Sequence, residues 1–368
     1  MGRILGVAMA LGALTSICCP VGGALASQAI SLVAPPPVAP PAWPGLPLQA
    51  AETATPLLLA ANAAAAKKKP KPTVTTVSGL PWRSGMQCYN DGFEAWRGRP
   101  VDLTSLYFGR FSWDTVFSTL QSDTVARAKQ RPGPLVFALA MLLPDQTFAD
   151  CNRGANDAVF KDIGNALNVD GLTDSIIRLG WEANGTTYAW SVGNQAAAYK
   201  KCYKRLANIL RKQAPTIQLE WSMRKDNGAA VGVDKLYPGN QFVDIIGTSF
   251  YDRFPTTNTQ AQWNAAYMQT DKGGPRGLGT WLSFAKQKKK KLALSEWAIS
   301  DGYPGTSSVD NPFFIQKVYE FLKANAADIS YESYYNCDST DPGIYRVWPS
   351  QWNPQSSAKY QQLWSQAP

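Results

Sequence analysis

From residue 80 onward, short apolar runs alternate with longer amphipathic ones. Eight of the short runs read as strands: Gly85–Cys88, Leu106–Phe111, Leu135–Leu142, Ser175–Gly180, Thr216–Ser222, Val243–Phe250, Leu292–Trp297 and Ile329–Tyr335. Leu135 to Met141 is apolar at every position, as a strand covered by helices on both faces requires. Between the strands the apolar spacing widens to the helical period. Asp114–Lys129 opens with a capping acid and continues in Ala, Arg and Lys; Asn156–Leu167 spaces Val159, Ile163 and Leu167 four apart. Gln195–Gln213 is closed by Pro215, and Phe313–Ala324 and Ser357–Trp364 complete the helical set. The segments after strands five and six have no clear helical period, and the glycine-rich Gly273–Gly279 interrupts them.

Strands that alternate with helices predict an α/β fold, and eight of them predict a (β/α)8 TIM barrel over residues 80–368. A doubly wound open sheet is the rival, but no glycine-rich phosphate loop follows the first strand, and no internal repeat is visible. In a barrel, chemistry belongs at the C-terminal ends of the strands.

The residues before the barrel read differently. Met1 to Ala26 has a basic Arg3, an apolar stretch from Ile4 to Cys19 and an Ala24-Leu25-Ala26 cleavage pattern, so 1–26 is expected to be a secretory signal peptide. Ile17 before Cys18 argues against a lipid anchor, and the apolar run is short for a membrane span, so no stable membrane insertion is expected. Residues 27–79 are a Pro/Ala-rich, basic stretch expected to act as a linker. Arg3, Lys67, Lys68, Lys69 and Lys71 against Glu52 place +4 of the net +9 there and leave +5 for the rest. That is modest. The run from Lys286 to Lys291 reads as the solvated end of a helix, and no nucleic-acid module is recognisable. The A-x-A leader points to a secreted, periplasmic or cell-surface bacterial protein.

The chain contains no histidine, which excludes Ser-His-Asp and Cys-His catalysis, HExxH zinc sites and histidine-based iron sites. Acid–base work falls to Asp, Glu, Lys or Tyr. No metal and no cofactor are expected. The 13 Trp, 15 Tyr and 14 Phe suit a carbohydrate cleft, and equally a large core. Of six cysteines, Cys18 and Cys19 lie in the leader; the other four fit two disulfides.

The stretch Arg178 to Trp190, R-L-G-W-E-A-N-G-T-T-Y-A-W, follows the buried run Ser175-Ile176-Ile177. It places a carboxylate, Glu182, at a strand end with Asn184, Gly185, Tyr188 and Trp190 beside it. A proton-transferring carboxyl beside flat rings is what cleavage of a glycosidic bond needs. A solvated glutamate among core aromatics is the alternative. A second carboxylate, Glu296, ends the compact strand Leu292-Ala293-Leu294-Ser295-Glu296-Trp297. These are strands four and seven, so the two side chains can lean across one mouth, one protonated and one as nucleophile. A structural ion pair is the alternative for Glu296.

These residues resemble family 26 of the glycoside hydrolases, barrels whose acids lie on strands four and seven. The resemblance covers essentially residues 80–368 and rests on R-L-G-W-E-A-N-G-T-T-Y-A-W, on G-T-S-F-Y-D at 247–252 and on L-S-E-W at 294–297. It implies Glu182 as acid/base, Glu296 as nucleophile, Tyr251 as a hydrogen-bond donor to Glu296, Arg178 as a charge-tuning strand residue, with a buried ion pair as its alternative, and Trp190 as a ring stacking on sugar. Classical mannanases of the family have histidine immediately before the acid/base; here Trp181 stands there, which opens the specificity to β-glucans, xylans and exopolysaccharides beside β-mannan. A retaining endo-β-glycosidase is therefore expected, with a non-hydrolytic polysaccharide-binding barrel of the cell envelope as the alternative and an envelope structural protein as a third reading.

Further candidates for substrate contact are Trp181, Tyr188, Asn184, Trp113 and Arg110 after strand two, Asp145 after strand three, Trp221 at the end of strand five, Asp252, Trp297, and Tyr334 and Tyr335 at the end of strand eight; each has a core-packing alternative. Topology pairs the cysteines. Strands one and eight are neighbours in a closed barrel, which pairs Cys88 with Cys337, and Cys151 and Cys202 follow strands three and four, which pairs them. The expected partner is a polysaccharide substrate, with the protein acting as a monomer.

Overall fold

A computed structural model describes residues 76–88, 92–253, 255–299, 310–337 and 345–366. The expected signal peptide, and the expected linker up to residue 75, lie outside them. Eight parallel strands close into a barrel: β1 (Arg83–Gln87), β2 (Leu103–Tyr107), β3 (Leu135–Leu139), β4 (Ile176–Leu179), β5 (Gln218–Arg224), β6 (Ile245–Tyr251), β7 (Lys291–Ala298) and β8 (Ile329–Tyr335), with β8 pairing back to β1. The TIM barrel is thus the observed fold.

Ten helices surround it: α1 (Phe93–Arg97), α2 (Asp114–Leu120), α3 (Asp123–Lys129), α4 (Phe148–Arg153), α5 (Asp157–Val169), α6 (Ala196–Gln213), α7 (Gln260–Tyr267), α8 (Leu278–Gln287), α9 (Pro312–Ala324) and α10 (Pro354–Trp364), counted among the described residues. The single helix expected over Asp114–Lys129 is two, because Ser122 breaks the pattern and caps α3 by accepting a hydrogen bond from the Val125 amide. After β5 the chain makes only 3₁₀ turns, Val233–Leu236 and Asn240–Phe242, which explains the missing helical period there. The glycine-rich interruption is partly a small antiparallel pair, Thr270–Asp271 against Gly274–Pro275. None of the described helices is long and apolar enough to cross a membrane.

Strand two was expected at Leu106–Phe111 and lies earlier. Its last ladder contact outward is the Phe108 amide to the Ala138 carbonyl, after which Gly109 lets the chain turn where a Cβ would overlap Thr115. The strand therefore ends at Tyr107, and Tyr107 becomes a rim residue.

Two hydrophobic sets hold the structure. The larger lies between barrel and helices and includes Phe137, Leu179, Leu219, Trp221 and Trp297. The smaller fills the lower interior: Leu103, Val136, Ile176, Ile245, Ala293 and Tyr331, one from each of six strands. Above this plug the inward positions turn polar. Both expected disulfides are present. Cys88–Cys337 ties the ends of β1 and β8 with Cα atoms 5.0 Å apart, and Cys151–Cys202 ties α4 to α6 at 5.6 Å.

Candidate active site

The alternation of strand side chains decides what enters the barrel mouth. On β2 the inward positions are Leu103, Ser105 and Tyr107; on β6 they are Ile245, Gly247, Ser249 and Tyr251, each series starting in the apolar plug. β7 departs from strict alternation. Its pairing with β6 jumps from Thr248↔Leu294 to Ser249↔Glu296, so Ser295 is an extra residue. This β-bulge lets two consecutive side chains face inward. Ser295 donates to Glu220 below, and Glu296 stands above it at the mouth.

Among the described residues, every hydrogen-bond partner of the Glu296 carboxylate is a donor. Tyr251 donates to Oε1, Tyr107 donates to Oε2, and both terminal nitrogens of Arg178 lie 3.4 Å from Oε2. An acceptor-only, ionised carboxylate is the form this shell satisfies. Burial, and then the Glu296 charge, push the Tyr107 and Tyr251 phenols well above their ordinary range, so both keep their protons. Tyr107 is braced by Gln87, whose Oε1 lies 2.6 Å from the phenol while its Nε2 donates to the Ser295 carbonyl at 3.0 Å.

Arg178 is fully buried between two carboxylates. Its Nε lies 3.6 Å from Glu220 and its Nη1 3.4 Å from Glu296. Burial alone would lower its pKa, but Tyr107, Glu296 and Glu220 around it raise it well above the usual value. Glu220 also accepts from the Ser295 and Tyr331 hydroxyls. Gly247 makes room for it, since a Cβ there would overlap both Ser295 and Glu220. Burial pushes the Glu220 pKa up, and Arg178 with the two hydroxyls opposes it.

Glu182 follows β4 in the left-handed region, with φ 52°, two residues after Gly180 at φ 58°. A non-glycine residue there costs about 1–2 kcal/mol. The turn is held by the Glu182 amide donating to Ser222, the Gly185 amide to Glu182 and the Val192 amide to Ala183, each at 2.8 Å. Burial and then the Glu296 charge raise its pKa; Arg224, Ser249 and Arg178 oppose this. The two glutamates therefore sit in contrasting settings: Glu296 among donors, Glu182 desolvated and facing a negative neighbour. Such a pair can divide proton donation and nucleophilic attack between them.

Residues 162–309 match the Glycosyl hydrolase family 26 profile. The matched stretch holds both Glu182 and Glu296. The chain is 26% identical over 199 residues to a mannan endo-1,4-beta-mannosidase of Bifidobacterium adolescentis, a match that covers 52% of this chain and 19% of that protein. The chain thus spans about a fifth of the curated relative. Among solved structures, an endo-beta-1,4-mannanase of Cellulomonas fimi superposes with a TM-score of 0.53 at 16% identity, covering 79% of this chain and 71% of the other. A beta-mannanase of family 26 from Bacteroides ovatus gives 0.53 at 14% identity, covering 77% and 89%. At these identities the superpositions speak for the fold.

Within the barrel the expected aromatic residues divide. Trp181, Tyr188 and Trp190 pack together beside Glu182, with Tyr188 and Trp190 stacked at 4.6 Å and 6°. Trp190 is buried and donates to the Trp181 carbonyl at 2.8 Å, so it backs the half-buried Tyr188 and presents no face of its own to a sugar. Trp181 is also buried and bonds the Tyr188 hydroxyl. Trp221, Trp297 and Tyr334 were expected at the cleft, but all three face outward. Alternation puts Trp221 opposite in sense to Glu220, against Tyr237, Trp281 and Phe284. The bulge spends the inward position on Glu296 and turns Trp297 to Trp364, Tyr334 and Tyr360. Tyr334 donates to the Tyr345 carbonyl. Trp113 packs edge-on against Phe160 of α5, on the helical layer. Asn184, expected to touch substrate, is buried as a clamp: its Nδ2 donates to the Arg224 carbonyl at 2.8 Å and its Oδ1 accepts from the Arg224 amide at 2.9 Å. A side-chain amide matches a backbone donor–acceptor pair, and that match takes it out of the cleft.

The sequence reading missed Tyr107, Gln87 and Glu220. A correct end for strand two would have exposed Tyr107 as its last inward residue. Glu220 carried a signal of its own, a charge inside the apolar run Ile217 to Met223.

Proposed function

We propose that the barrel is a retaining endo-β-glycosidase that cleaves a β-linked polysaccharide, β-mannan or a related β-glucan, xylan or exopolysaccharide, by double displacement. The observation that carries this reading is the contrast between the two glutamates at the ends of β4 and β7. Glu182, whose proton is favoured by burial and by the Glu296 charge, gives that proton to the leaving oxygen. Glu296, ionised among Tyr251, Tyr107 and Arg178, attacks the anomeric carbon. Once Glu296 is esterified its charge is gone, the influence that raised Glu182 disappears, and Glu182 becomes the base that activates water for the second step. Arg178 and Glu220 beneath them hold a balanced charge and fix the orientation of Glu296. Tyr188 stays partly exposed beside Glu182, where its edge can meet a sugar. We read the protein as exported and monomeric; its two disulfides fit an oxidising compartment.

The test is reducing-end release on a panel of mannan, glucans, xylans and bacterial exopolysaccharides, with the anomer of the first product read by proton NMR. Glu296→Ala is expected to remove turnover and keep binding. Near-normal turnover in that variant, or an inverted first product, defeats the reading. Binding without any cleavage by the wild-type protein would favour a polysaccharide-binding barrel.

A further inference from the structure

Among the arginines around the mouth, Arg253 and Arg276 both lie near Asp226, at 3.6 and 3.7 Å. Arg178 is held between Glu220 and Glu296. Two others have no carboxylate within ion-pair distance among the described residues, Arg110 and Arg224. Arg110 leaves the β2–α2 turn with its guanidinium carbon 5.3 Å from the Tyr188 ring centre and 5.2 Å from that of Phe111. Phe111 is 72% exposed, a large ring left in water. Arg224 ends β5. It is half-buried, its Nε is buried without a hydrogen-bond partner, and its Cδ and Nη1 lie 3.2 and 3.3 Å from where a Cβ on Gly185 would stand. Both reach the same loop between β4 and α6: Arg110 lies over Tyr188, and Arg224 lies against Gly185, three residues earlier.

We propose that the Arg110–Tyr188–Arg224 edge is a subsite for a carboxylate-bearing sugar, so that the substrate is an acidic, uronate-containing β-linked polysaccharide. This rests on the glycosidase reading and narrows it. A half-desolvated guanidinium with an unpartnered N–H has lost water and gained no anion, and a planar carboxylate is the group that fits its fork. The exposed Phe111 supplies a ring against which the apolar face of a pyranose can lie. The arrangement also removes a conflict. Arg224 works against the proton that Glu182 must carry. A substrate carboxylate at Arg224 offsets that charge and lets Glu182 keep its proton to higher pH. Full assembly of the acid then waits for the acidic substrate.

The probes are β-1,4-linked mannuronan and glucuronan, each beside its carboxyl-reduced counterpart, which differ only in carboxylate against hydroxymethyl. With the full-length protein, kcat/KM for a uronan is expected to exceed that for its neutral partner by about tenfold or more, a preference that shrinks as salt rises. Arg110→Gln and Arg224→Gln are each expected to bring that ratio toward one, with melting temperature as the folding control. The alkaline limb on the uronan should lie above that on the neutral polymer, and Arg224→Gln should erase the difference. A wild-type ratio at or below one for both pairs, or a ratio unchanged in both variants, overturns the proposal. If neither these polymers nor the mannan, glucan, xylan and exopolysaccharide panel is cleaved, the glycosidase reading fails. The affinity ratio of the same pairs then decides the subsite: equal affinity for acidic and neutral partners overturns it, and a preference lost in the variants supports it.

Discussion

Replacing Tyr251 by Phe removes one hydroxyl and leaves a ring of nearly the same shape. The ring still meets Tyr335 at 5.9 Å and Tyr345 at 5.4 Å, so packing changes little. What is lost is the donor on Oε1 of Glu296, while Tyr107 and Arg178 remain on Oε2. A hydrogen bond to a charged group contributes about 1.5–3 kcal/mol. The step that feels it most is the second, in which Glu296 departs from the sugar and recovers its full negative charge. Attack by Glu296 feels it less and in the opposite sense, because the bond stabilises the nucleophile before it reacts. At about 1.36 kcal/mol per decade, the second step should slow about 10- to 150-fold. The assay is pre-steady-state release of dinitrophenol from an activated aryl β-glycoside of whichever sugar is cleaved. With that leaving group the second step limits turnover, so the variant should show a burst of one equivalent followed by a steady rate lowered by that factor. A steady rate within about threefold of wild type would refute the reasoning. So would a loss without an accumulating intermediate.

Glu296→Gln removes the charge that helps to raise Glu182, so the Glu182 titration, followed by NMR of carbon-labelled glutamate, should move to lower pH; an unchanged or higher midpoint contradicts the pairing of the two acids. Loop entropy sets a ceiling of about 5.5 kcal/mol for Cys88–Cys337, which spans 249 residues, and about 4 kcal/mol for Cys151–Cys202, which spans 51. Replacing the first pair by serine should therefore lower stability to denaturant more than replacing the second, and the reverse order would show that strain or residual unfolded structure dominates. Lys225 is buried, with its Nζ 2.6 Å from the Arg253 carbonyl, and burial lowers its pKa from 10.5 to about 8. The unfolded chain binds the extra proton between those values, so this group's contribution to stability rises as pH increases through that window, by about 3 kcal/mol in all. The stability difference between wild type and Lys225→Met should move by that amount in favour of wild type from about pH 8 to 10.5, and a pH-independent difference would contradict the assignment.

Much of this protein follows from the order of its residues. The alternation of apolar runs and amphipathic stretches implied eight β/α units, and closure of eight such units makes the first and last strands neighbours. That adjacency is why Cys88 and Cys337 could be paired across 249 positions. Glu182 and Glu296 were legible because each ends an apolar run at the rim where strand ends converge, and Arg178 and Tyr251 came with the motifs around them.

Which face each side chain occupies was decided only by the tertiary structure. Strands covered on both sides are apolar on both sides, so Trp221 or Trp297 reads the same whether it faces a sugar or a helix. Register settles the matter. The extra residue at Ser295 turns Glu296 into the mouth and Trp297 away from it. The early end of β2 brings Tyr107 onto Glu296, and Gly247 leaves the space in which Glu220 meets Arg178. Local pattern encodes what can be a strand and what can be a helix. The facing of a buried side chain depends on ladders formed with segments far away in the chain, and that information exists only once the barrel has closed.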